Sequence, residues 1–207
     1  MAATKTRPSA LRRLQDLIDH PRTKPEEREA AERMLMRLKA KHAAASGESG
    51  ARQGSGWVDP RFYGKRYDRS LTTTQIAAIV RQDIKMARKM AAETSEDDGP
   101  GAVKVPNPIG DAPQGIKFSI RTEYFSGGSA INIVLRGMPT AWAWTTEQRY
   151  GHDQTVPTPA LKALATELRE LANAFNHDGS DITTDYFDVN FYLSLSAESP
   201  HGYALSI

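Results

Sequence analysis

Histidine is the side chain that most readily works as an acid or base near neutral pH, and the 207-residue chain has five: His20, His42, His152, His177 and His201. They lie far apart, and none stands in an HExxH or other metal-ligand spacing, so the sequence points to no metal site. His152-Asp153, His177-Asp178 and the group Asp181, Asp185 and Asp188 have the residue types of acid/base chemistry. Aspartates beside Gly and Ser are also the residues that build turns, and they are read here as turn formers. Ser126-Gly127-Gly128-Ser129 leads into a strand and lacks a GK[ST] ending, so it is no phosphate loop. Neither Ser126 nor Ser129 stands in a Gly-x-Ser-x-Gly elbow. No catalytic residue and no cofactor is expected, and the chain is read as not an enzyme.

Binding chemistry is better represented. Trp57, Phe62, Tyr63 and Tyr67 alternate with Arg61, Lys65, Arg66 and Arg69. Rings among cations suit single-stranded nucleic acid, where bases stack and phosphates are neutralised. The other reading is a lead-in whose rings cap a core and whose charges stay wet. Arg81, Lys85, Arg88 and Lys89 add a basic stripe to the next helix, either a phosphate-contacting line or a solvated face. The candidate nucleic-acid residues are Trp57, Arg61, Tyr63, Lys65, Arg66, Arg69, Arg81, Lys85 and Arg88. The net charge of +2 hides an asymmetry: residues 1–95 carry 20 Lys+Arg against 11 Asp+Glu, residues 96–207 carry 7 against 14. A basic first half suits an anionic partner, though the halves also suit each other or a second copy. Trp142 and Trp144 offer either a binding platform or a cover for a sheet edge.

The elements that hold these residues follow from periodicity. Leu11, Leu14, Leu17 and Ile18 mark a first helix after a Ser9 N-cap and before Pro21. Pro25 opens a second, with Ala31, Met34, Leu35 and Leu38 as its stripe. Ser46–Gly56, rich in Gly and Ser, reads as a linker. Thr72 to Thr74 cap a helix whose buried stripe is Ile76, Ile79, Val80, Ile84, Ala87 and Met90. Pro100, Pro106, Pro108 and Pro113, with Gly99, Gly101 and Gly110, read as a long irregular insert over 95–115. Ile116–Gly137 alternates with period two around Ser-Gly-Gly-Ser, a β-hairpin. Thr158-Pro159 opens a helix that Gly179 is set to stop, and Phe187 to Ser196 alternates as another strand, followed by a short strand from Tyr203 to Ile207.

The expected fold is therefore α+β: a small antiparallel sheet of three to four strands, in the order α-β-β-α-β-β, covered on one face by two helices and preceded by a helical hairpin. The expected divisions are 1–45 (hairpin), 46–56 (linker) and 57–207 (α+β domain). Zero cysteines exclude disulfides and Cys-containing metal sites. No apolar run approaches 18 residues and the N-terminus has no signal-peptide apolar core, so a cytoplasmic protein of a bacterial host cell is expected, with no membrane.

Two stretches resemble known families. Glu29-Ala30-Ala31 and Leu38-Lys39-Ala40-Lys41-His42 lie in a run that resembles the N-terminal helical hairpin of a domain of unknown function common in phages and their actinobacterial hosts. Leu71–Ala77, Phe118–Arg121, Tyr124–Ile131 and Gly137–Thr140 resemble one of the large polyvalent protein-associated domains, the twenty-ninth of that series, over about residues 70–196. The proline-rich insert and the AWAW segment depart from that pattern. The resemblance implies an accessory protein of a bacteriophage or mobile element and assigns no catalytic residue. The charge asymmetry and the Trp57–Arg69 cluster favour a nucleic-acid-associated module with DNA or RNA as partner. The alternative is a protein-interaction module of host-takeover or anti-defence type, engaging a host or phage protein.

Overall fold

The computed structural model describes residues 10–45, 62–93, 106–149, 151–180 and 187–207. In chain order the elements are α1 (Ala10–Asp19), α2 (Pro25–Ala45), β1 (Phe62–Tyr63), α3 (Thr73–Glu93), α4 (Pro108–Asp111), β2 (Lys117–Phe125), β3 (Gly128–Arg136), α5 (Thr140–Ala143), β4 (Trp144–Arg149), β5 (His152–Pro157), α6 (Pro159–Asn173), β6 (His177–Asp178), β7 (Tyr192–Glu198) and β8 (Ala204–Ser206). The chain forms two compact units: Met1–Gly56 with Arg81–Asp111, and Trp57–Val80 with Ala112–Ile207. The expected spans 1–45 and 57–207 do not coincide with them, because the second half of α3 groups with the helical hairpin. The proposed N-cap Ser9, the linker 46–56, Trp57 and Arg61 lie outside the described residues.

The first unit is helical. Thr23 Oγ1 donates to the Leu17 carbonyl at 2.7 Å, closing the turn between α1 and α2. Leu14, Met34, Leu35 and Leu38 are buried from the hairpin, and Ile84, Met86, Ala87 and Met90 from α3. Arg33 of α2 holds Asp83 of α3 at 2.8 Å, the carboxylate side chain being only 4% exposed. The insert is not wholly irregular. Pro108–Asp111 form a helical turn that sends Ile109 into the core, and Asn107 Oδ1 accepts from Gly110 N at 3.2 Å. Asparagine there satisfies a backbone donor that the turn leaves open, which the proline count alone conceals.

The second unit is the α+β part. Its four-stranded sheet has the order β2-β3-β7-β8. β2 and β3 form the expected antiparallel hairpin, from Lys117 opposite Arg136 to Phe125 opposite Gly128. β7 pairs with β8 antiparallel, but β3 pairs with β7 in parallel, Ile133 beside Leu195. The sheet is therefore mixed, not antiparallel throughout: parallel neighbours need a crossover, and α6 lies between them in sequence. One face carries Ile120, Ile131, Ile133, Leu135, Leu195 and Ala197, all buried. α6 is capped by Thr158, whose Oγ1 accepts from Leu161 N at 3.2 Å, and buries Leu161, Leu164, Leu168 and Leu171. Each such leucine contributes about 1.5–3 kcal/mol, against tenths for helix propensity, so packing fixes this helix. It ends at Asn173, six residues before Gly179, and β7 begins at Tyr192, not Phe187. Thr72 starts α3 with a reciprocal cap: its N–H donates to Gln75 Oε1 at 2.8 Å, and Gln75 N–H returns to Thr72 Oγ1 at 3.3 Å. Within the same unit Thr73 Oγ1 bonds Ser129 Oγ at 2.7 Å, tying that helix start to β3.

Unforeseen from the sequence is a second hairpin, β4–β5, running from Trp144 opposite Pro157 to Arg149 opposite His152. Trp144 is buried, and its Nε1 donates to the Glu198 carbonyl at 3.0 Å. Among the described residues no helix is long and apolar enough to cross a membrane.

Candidate nucleic-acid interface

Of the nine candidate residues, seven are described, and they divide between the units. Tyr63, Lys65, Arg66 and Arg69 belong to the second unit, Arg81, Lys85 and Arg88 to the first.

The strip from Phe62 to Arg69 is anchored by its backbone to the chain leaving α6. Gly64 N–H donates to the Asn176 carbonyl at 2.8 Å and Arg66 N–H to the Ala174 carbonyl at 2.7 Å. These carbonyls follow the last turn of a helix, where acceptors lack intrahelical donors, so the strip acts as the cap. The approach is close enough that a Cβ on Gly64 would lie 2.3 Å from the Asn173 oxygen. β1 then pairs with β6, Tyr63 opposite His177. His177 is buried, its ring 4.7 Å from that of Tyr63 and stacked at 4.8 Å on Tyr67. Its Nε2 stands 3.4 Å from Asp188 Oδ2. Arg66 lies over the Phe175 ring, 5.9 Å from its centroid.

Part of the ring-and-cation strip is thus taken up by the fold. Tyr67 and Arg66 pack against α6's C-terminal segment, and Tyr63 gives one side to His177 while remaining 59% exposed. Lys65 and Arg69 are exposed. Asp68 turns back on the strip: the Ser70 backbone N–H and hydroxyl both donate to it, holding its carboxyl below the usual aspartate range.

In the first unit Arg81 and Lys85 are exposed on α3. Arg88 is turned to structure, its Nη1 donating to the Ile109 carbonyl at 3.4 Å, and burial pulls its guanidinium below the ordinary arginine value. Arginine nonetheless stays charged at neutral pH. Lys89 bonds Glu27 of α2. Lys85 lines a cleft of about 460 Å³ with Lys24 and Lys89, where Glu26 and Glu27 offset the lysines.

The acid/base candidates are accounted for as structure. Asp178 accepts from the hydroxyl and then the backbone N–H of Ser180, which keeps its carboxyl low, as in an Asx turn. His177 takes Asp188 as its partner, not the adjacent Asp178. No local signal announces that pairing, because it arises from the return of the chain: Asn190 N–H donates to the His177 carbonyl at 3.0 Å. Asp181 and Asp185 lie outside the described residues. Among the described residues no group of three or more His, Asp or Glu side chains is placed to hold a metal ion. Compared with protein-family models, with curated proteins and with solved structures, the chain matches none.

Proposed function

We propose that the protein is a non-enzymatic nucleic-acid-binding accessory module of a bacteriophage or mobile element. The observation that carries the reading is the exposure of Lys65 and Arg69 beside the half-free ring of Tyr63, with Arg81 and Lys85 exposed on the other unit. Cations on short, anchored segments meet phosphates with little ordering cost, and the strip is anchored through Gly64 and Arg66. The surplus of positive charge over residues 1–95 supports the same reading.

The alternative, a protein-interaction module, draws on Trp142 and Trp144. Trp144 is withdrawn from it, since its ring is buried and its N–H is used by Glu198. The test is charge reversal. Lys65→Glu with Arg69→Glu, and separately Lys85→Glu, should each lower retention on labelled single-stranded DNA or RNA at low salt while leaving the circular dichroism spectrum intact. Unchanged retention in both variants would remove these cations from the reading, and no retention of the wild type at low salt would remove the reading and send the search to a protein partner.

A further inference from the structure

The face of the four-stranded sheet opposite the core is the surface whose composition asks for a ligand. Strand alternation and register place Phe125 of β2, Gly128 of β3 and Tyr192 of β7 together on it, with Phe125 opposite Gly128 and Ala130 beside Tyr192. The two rings are adjacent, their centroids 5.9 Å apart, and they are 46% and 45% exposed. Gly128 lies beneath both: a Cβ there would meet Tyr192 Cε2 at 3.3 Å and Phe125 Cε2 at 3.5 Å. A residue without a side chain lets both rings settle against the backbone, each keeping part of its surface to solvent. One pleat period beyond the row that holds Tyr192, about 7 Å along the strands, comes the row Arg121, Asn132 and Ser194. Lys117 and Arg136, opposite each other, close the far end of β2 and β3 with two more exposed cations. Asn132 Nδ2 donates to Glu123 Oε2 at 3.2 Å, holding that carboxylate.

The geometry points to this open face as a platform for single-stranded nucleic acid, with bases stacked on Phe125 and Tyr192 and the backbone running toward Arg121. The inference rests on the nucleic-acid reading and adds the class of ligand and the place. Charge and composition select the occupant. A helix or a protein core would want Leu, Ile or Met, and this face has none; its one aliphatic side chain larger than alanine is Val134. The face carries Lys117, Arg121 and Arg136 against Glu123, which Asn132 holds, and Glu198. Its flat rings beside this surplus of cations suit unpaired bases and phosphate, whereas a duplex hides its base faces.

The experiment is a fluorescence-anisotropy titration of the full chain with labelled oligo(dT), oligo(U) and a DNA duplex, at low and moderate salt. The variants are Phe125→Ala with Tyr192→Ala, the ring-preserving Tyr192→Phe, and Arg121→Glu. The expected result is tighter binding to single strands than to duplex, a loss of about tenfold or more in the double alanine variant, and near-native binding in Tyr192→Phe. Ultraviolet cross-linking to oligo(dT) should map to Phe125 or Tyr192. Arg121→Glu, which keeps both rings, should weaken binding and flatten its salt dependence. Wild-type binding that the double variant and Arg121→Glu both retain would overturn the platform while leaving the nucleic-acid reading standing. No binding by the wild type at low salt would overturn both. A wild-type dimer in sedimentation that the double variant abolishes, with nucleic-acid affinity unchanged, would assign the face to a second copy and overturn the platform.

Discussion

Gly64 shows how much rests on single atoms. The strip bearing Lys65 and Arg69 reaches the carbonyls after α6 only because position 64 has no side chain. Gly64→Ala should lower the urea-unfolding free energy by about 1–3 kcal/mol, the usual cost of overpacking, and weaken nucleic-acid retention with it. Asp178 gives a residue-scale test of pH dependence. Its folded carboxyl is held below the unfolded value of about 3.9, so its contribution is present above that pH and is lost as pH falls through the lower, folded value. Ser180→Ala removes the largest cause of that shift. The variant should be less stable than wild type at pH 6, by under about 1 kcal/mol for the Asp178 contribution because that carboxylate is largely exposed. The gap should narrow as unfolding is measured below about pH 4, leaving the pH-independent loss of the Asp188 N–H bond to the Ser180 hydroxyl. The turn role of Asp178 was legible in its Gly and Ser neighbours, but its partner Ser180 and the pairing of His177 were not. The fold gives His177 to Asp188, eleven residues on, and Asp178 to the turn with Ser180.

Among the elements, those with strong alternation were read correctly and those without were missed. β2 and β3 announce themselves because Phe118, Ile120, Ile131, Ile133 and Leu135 alternate with polar residues around a glycine turn. β4 and β5 do not, since Thr145 to Gln148 and His152 to Gln154 are all exposed and polar on both sides. The parallel pairing of β3 with β7 was equally hidden, because nothing local in either strand records which neighbour it takes across so long a separation. The Arg33–Asp83 pair makes a prediction at this scale for the helical unit. Arg33→Ala leaves a buried carboxylate without its guanidinium and should cost about 3–5 kcal/mol. Arg33→Met combined with Asp83→Leu should cost much less, since removing both charges also removes the desolvation penalty. Chemical denaturation of the three proteins decides it.

At the scale of the whole molecule, the α+β class was legible from the order of periodic segments, and the basic first half from a count of charges. What the sequence did not show is how that half is divided. Arg81–Asp111 joins the helical hairpin while Trp57–Val80 joins the sheet, so Lys65 and Arg69 belong to one compact unit and Arg81 and Lys85 to the other. Two more of the candidate cations also take part in the fold: Arg66 lies over Phe175, and Arg88 donates to the Ile109 carbonyl. The rings on the open face were passed over because Phe125 and Tyr192 stand 67 residues apart and meet only through β3.

The most direct test of the central claim is the salt dependence of wild-type binding to a labelled single strand. If Lys65, Arg69, Arg81 and Lys85 contact phosphates, the slope of log affinity against log salt should be about −3, at roughly 0.7 per phosphate neutralised on a single strand. A slope near zero, or no binding at the lowest salt, would contradict the claim that these exposed cations contact nucleic acid.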